Sequence, residues 1–183
     1  MDEAALRPYR EYHARRERAR REGRELEMLS RVKFLILERE IQSDIQRVEE
    51  IYTALGSPEL GEAGSQQTLI VQAYRLYSLY IIFENIFRNI ATAFENHLDP
   101  SGWHRQLLQR MQRDLAPLRP AVIDSEAYER LDEMLRFRHV FRTMYGLRLD
   151  PFRLQGVLRN ALELKELYRP QFERFLEFLR GLE

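Results

Sequence analysis

Apolar residues recur along this chain at spacings of three and four, and no run alternates with the period of two that marks a strand. Ile41, Ile45, Val48, Tyr52 and Leu55 form one stripe and predict a helix from about Leu26 to Leu55, closed by Gly56-Ser57-Pro58. After a polar loop to about Ser65, a second helix is expected from about Gln66 to Leu98. Leu69, Ala73, Leu76, Tyr80, Phe83, Phe87, Ile90 and Phe94 make its first stripe, and Ile70, Tyr74, Tyr77, Ile81 and Ile86 a second face. A helix this apolar around its circumference is central or shared with another subunit. A shorter helix is expected from about Trp103 to Leu115, followed by a stiff connection at Pro117 and Pro120. Asp124 or Ser125 reads as the cap of a fourth helix that turns Ala127, Leu131, Met134 and Phe141 inward and ends near Gly146. Asp150-Pro151 restarts the chain as cap and first helical residue. The last helix buries Leu154, Leu158, Ala161, Leu162, Tyr168, Phe175 and Leu179, and Pro170 should kink or split it. The fold class is therefore all-α, an up-and-down bundle of four to five helices.

Composition adds a boundary. Arg15, Arg16, Arg18, Arg20, Arg21 and Arg24 crowd the stretch before the first stripe, with Glu17 and Glu22 between them. Residues 1–25 are read as a charged helical arm held by pairs four apart, and residues 26–183 as the bundle. The totals of 29 basic and 29 acidic residues cancel, so a general attraction to nucleic acid is not expected and any RNA contact must be local. Cysteine is absent, which excludes disulfides and thiolate metal sites. The first residues are charged rather than apolar, so no signal peptide is expected. Gln72, Arg75, Glu84, Asn85 and Arg88 interrupt the most apolar stretch, which predicts a buried helix rather than a membrane span. The expected setting is cytoplasmic, without a membrane.

Chemistry is sparse. His13, His97, His104 and His139 match no metal-ligand spacing, no glycine-rich phosphate loop is present, and neither metal nor cofactor is expected. What stands out is Arg136-Phe137-Arg138-His139-Val140-Phe141-Arg142-Thr143-Met144-Tyr145-Gly146. On a helix Arg138, Arg142 and Tyr145 lie within about 40° of a common line, bordered by Phe141. Guanidinium groups beside an aromatic stripe are partly desolvated. They call for an anion, a partner's carboxylate, or acids of the core such as Glu84.

This stretch resembles the signature of the HEPN superfamily: an arginine, a polar residue, three more residues, then a histidine. More closely it resembles the HepT-like toxins, where a tyrosine follows two residues after that histidine. Arg138 matches the arginine, His139 the polar residue and Tyr145 the tyrosine; Thr143 stands at the histidine position. Tyr80 to Arg88, Ser101-Gly102-Trp103-His104 and Arg119 to Ile123 also resemble the HepT-like pattern in order and spacing, over roughly residues 26–180. The resemblance implies a bundle that dimerises, or forms multiples of dimers, with the motif helices facing each other. It implies a ribonuclease toxin neutralised by a minimal nucleotidyltransferase antitoxin, which attaches AMP to the tyrosine, here Tyr145. RNA would be the substrate, and Glu84 and Asn85 supporting polar groups. Metal-free cleavage uses the ribose 2′-hydroxyl and needs a proton acceptor and a cation for the phosphorane. Arg138, assisted by Arg142, fits the cation. Threonine does not ionise near neutral pH, so Thr143 leaves proton transfer to His139, or activity is reduced. Two other readings remain open: an inactive helical dimer acting as a binding or interaction protein, and an RNA-binding module using the arginine-rich arm.

Overall fold

A computed structural model describes residues 3–57, 65–95, 103–143 and 148–182; of residues 3–14 and 103 it describes the backbone alone. Among the described residues five helices appear: α1 (Glu3–Gly56), α2 (Gln66–Phe94), α3 (Trp103–Gln112), α4 (Ser125–Thr143) and α5 (Pro151–Arg180). No strand occurs among the described residues. Leu98, Met144, Tyr145 and Gly146, which the sequence placed at helix ends, lie outside them.

Polar caps fix where the helices begin. The Ser65 hydroxyl accepts from the Thr68 amide at 3.2 Å, Asp124 from Ala127 at 2.9 Å and Asp150 from Phe152 at 2.9 Å, with Pro151 at the first position of α5. Each satisfies an amide that the helix leaves without a partner, worth about 1 kcal/mol. Helix α3 stops at Gln112, three residues before the expected Leu115. There Leu115 bridges to Arg119 around Pro117, whose preceding peptide bond is cis.

Long-range contacts give the topology. Lys33 donates to the Ala93 carbonyl and Arg75 to the Ala54 carbonyl at 2.9 Å, so α1 and α2 run antiparallel. Arg180 meets Glu38 at 2.6 Å and Tyr52 donates to the Ala161 carbonyl at 2.9 Å, so α5 also runs against α1. Asn160 donates to the Arg130 carbonyl at 2.8 Å and Gln171 accepts from the Asp124 amide at 2.9 Å, setting α4 against α5. The result is an up-and-down bundle of α1, α2, α4 and α5, with the short α3 laid against α2 and α4. Its centre is aromatic: Phe83 packs edge-on against Tyr168 and Phe172, and Phe87 against Phe172.

The first stripe of α2 is buried from Leu69 to Ile90, with Phe94 packed at its edge. Its second face divides. Ile86 is buried and Tyr77 and Ile81 are half-buried, while Ile70 and Tyr74 are exposed. Leu162 of α5 is likewise exposed, and Leu164 and Phe172 fill the core instead. Helix α5 passes through Pro170 without splitting. Helix α1 does not begin at Leu26: it is continuous from Glu3, and residues 15–33 are exposed throughout. Its core face starts with half-buried Phe34 and buried Leu37.

Candidate functional site

Arg138 sits in the penultimate turn of α4 and points into the bundle, its side chain 7% exposed. Its Nη2 lies 3.6 Å from Oε2 of Glu84, whose side chain is 2% exposed on α2. The second oxygen of that carboxylate contacts Nδ1 of His104, in the first turn of α3. The ring of His104 packs edge-on against the ring of His139, centroids 5.8 Å apart. Three helices thus build one chain of groups: Arg138, Glu84, His104 and His139. The carboxylate is shared by a cation and an imidazole, which explains how a charge so buried is tolerated. The Nε and Nη1 of Arg138 have no hydrogen-bond partner among the described residues.

His139 is at the surface end of this chain. Desolvation lowers its pKa below the usual histidine value, and electrostatic interaction with Arg138, then with His104 and Arg142, lowers it further. The ring is therefore neutral at pH 7 and able to accept a proton. Tyr80, one turn before Glu84, is buried. Desolvation, then the charge of Glu84, raises its pKa far above the phenol range. It stays a neutral phenol beneath the site. Asp132, also buried, takes Arg136 at 2.6 Å and Arg105 at 3.5 Å, so two exposed guanidinium groups rim the cluster.

The remaining candidates are placed less closely. Arg142 is exposed in the last turn of α4 and does not share the buried setting of Arg138, four residues earlier. The common line drawn on an ideal helix therefore runs from the interior to the solvent. Thr143 is exposed, and its hydroxyl donates back to the carbonyls of His139 and Val140 at 3.1 and 3.0 Å. Tyr145 lies outside the described residues. Asn85 is half-buried beside Glu84. A cavity of about 520 Å³ between α4 and α5 is lined by Phe137, Val140, Leu149 and Leu154 but touches neither Arg138 nor His139.

His104 is the member that the spacing of histidines missed, because its partners come from two other helices. The resemblance of Ser101-Gly102-Trp103-His104 to the HepT-like pattern was the one signal for it. His139 and Arg138, about 100° apart around α4, belong to one cluster because α3 closes the gap between them.

The family model described as HepT-like protein matches residues 72–179, more than half of the chain. This chain belongs to the HepT-like family. The match takes in every residue of the cluster and leaves α1 outside it. No curated protein and no solved structure matches this HepT-like chain. No helix among the described residues is long and apolar enough to cross a membrane, and no group of histidines and acids among them has the arrangement of a metal site.

Proposed function

We propose that this HepT-like chain is the toxin of a toxin–antitoxin pair, a metal-independent endoribonuclease of the cytoplasm. One observation carries the reading: a buried arginine with two unpartnered donors beside a surface imidazole kept neutral by its surroundings. In this scheme His139 takes the proton of a ribose 2′-hydroxyl, and the freed oxygen attacks the adjacent phosphorus. The 5′-oxygen leaves with a proton, giving a cyclic phosphate. Arg138 meets the extra negative charge on the phosphorane, for which a guanidinium is suited. Glu84 positions both, directly for Arg138 and through His104 for His139. Two motif helices facing each other in a dimer would bring a second Arg138 and His139 to the same phosphate.

A second reading is favoured at one point. The Thr143 hydroxyl is committed to its own helix, and Arg138 is paired with Glu84, as in a bundle that has kept its interior and lost the reaction. Such a chain would serve as an interaction partner. The deciding experiment measures cleavage of single-stranded RNA in EDTA by the protein, by Arg138→Ala and by Thr143→His. A ribonuclease loses cleavage with Arg138→Ala and gains it with Thr143→His. Equal, negligible cleavage by all three, with helicity retained, establishes the second reading. Control of the toxin is assigned to Tyr145, as acceptor of AMP from a cognate nucleotidyltransferase. Co-expression with that enzyme should add AMP to the intact mass, and Tyr145→Phe should remove it.

A further inference from the structure

The first part of α1 stands beyond the bundle. Lys33 and Phe34 meet Ala93 and Phe94 at the end of α2, and Glu38 meets Arg180 at the end of α5. The described stretch before Lys33, from Glu3 to Val32, overhangs both neighbours, and at 1.5 Å per residue it is about 45 Å long. A helix without tertiary contacts has little to stabilise it, since packing of an apolar face usually supplies most of that stability.

The overhang carries such a face, and it looks away from the bundle. Taking 100° per residue, the core positions Leu37, Ile41, Val48, Tyr52 and Leu55 fall within about 60° of one another. Met28, Leu29, Val32, Leu35 and Ile36 cluster on the opposite side of α1, about 180° away. They are 58, 62, 46, 37 and 52% exposed. Val32, Leu35 and Ile36 flank Phe34, so in this stretch α1 is apolar on two sides and only one is covered.

The far side continues in both directions at alternating steps of four and three: Arg18, Glu22, Glu25, Leu29, Val32, Ile36, Arg39 and Ser43. That is the spacing of a two-helix seam. Charge decides what fits it. A second copy lying parallel and in register would set Arg18, Glu22, Glu25 and Arg39 each against its own like charge. A second copy lying antiparallel about a two-fold axis between Ser30 and Arg31 sets Leu29 against Val32, Met28 beside Leu35 and Glu22 against Arg39. Like charges in a seam repel, and opposite charges fix register.

We infer that the far face of α1 is a self-association surface, on which two copies of this chain pair antiparallel through residues 18–43. Each overhang then lies along the outer face of the other copy's α1. This surface is separate from the motif helices, and it lies on the helix outside the family match.

The test uses the full chain. Leu29→Glu with Val32→Glu changes exposed positions outside the core, so the bundle stays folded while the particle mass by light scattering halves. That is from two copies to one, or from four to two if the motif helices also pair. Glu22→Arg and Arg39→Glu each weaken association about tenfold or more, and combining them restores it, because only the antiparallel register brings these positions together. Leu29→Cys with Val32→Cys, in a chain with no other cysteine, yields a disulfide-linked dimer on mild oxidation. An unchanged mass in the double glutamate variant overturns the inference. So does failure of the charge swap to restore association.

Discussion

Glu84→Gln keeps the shape of the side chain and removes the charge that Arg138 and His104 share. Its cost follows from the geometry. At 3.6 Å and an effective dielectric of about 20, the attraction to Arg138 is about 5 kcal/mol. Stripping the partner from a buried ion costs about 3–5 kcal/mol in general, and here the ion already has two donors without partners. A loss in that range is a large share of the 5–15 kcal/mol that holds a typical domain together. It should lower the melting temperature by about 6–20 °C in a chain of this size. Urea unfolding followed by circular dichroism measures it. Arg138→Met alone should cost less, because it removes the cation and leaves Glu84 with His104. The double variant should then be more stable than the sum of the two losses implies, since the glutamine no longer faces a buried charge. A loss below about 1 kcal/mol for Glu84→Gln, or strict additivity of the two, would refute the view of Glu84 as the counter-ion of the site.

Arg119, with no side-chain exposure, grips Glu95 at 2.5 Å and three carbonyls, so Arg119→Ala should cost about 3–5 kcal/mol. The more exposed Arg110→Ala, at the same carboxylate, should cost well under half of that in the same urea titration. His139 binds its proton less tightly folded than unfolded, so the unfolded chain takes up more protons below about pH 6.5 and stability falls as acid is added. Urea midpoints from pH 7.5 to 5 should show this, and His139→Gln should flatten the decline. The same sign puts the acidic limb of any RNA cleavage below about pH 6.5, where the ring loses its role as proton acceptor.

Most of the bundle was legible because period and caps agree. The stripe from Leu69 to Ile90 and the Asp150-Pro151 start lie where the sequence put them, and of the two cap candidates, Asp124 and Ser125, Asp124 caps the fourth helix. The start of the first core helix at Leu26 was not legible: a change of composition suggests an end there, yet nothing between Arg24 and Leu26 breaks a helix, and the charged stretch continues into the core helix without interruption. Leu162 reads as core in the sequence because apolarity marks a face without saying whether a neighbour reaches it; Ile70 and Tyr74, also exposed, lie on the face expected to be central or shared with another subunit. At the site, Arg138 and Glu84 were legible as a possible pair, through the cost of leaving a charge alone. The link through His104 was not, since it depends on where a ten-residue helix settles across two others. Arg119 was equally hidden: an arginine between two prolines gives no periodic hint that it turns inward.

The three innermost phenols carry a consequence for alkaline conditions. Tyr52 and Tyr168 stack with ring centroids 6.0 Å apart where α1 meets α5, and Tyr80 lies under the arginine cluster. Burial holds all three above the pKa of a free phenol, helped by Glu49 for the stacked pair and Glu84 for Tyr80. Each remains un-ionised in the intact bundle and gives up its proton readily once the chain opens. The stability these three phenols contribute is thus fully present below about pH 10 and drains away above it. Base attacks this protein from its centre: the tyrosinate absorption and the collapse of the helices should rise and fall as one event.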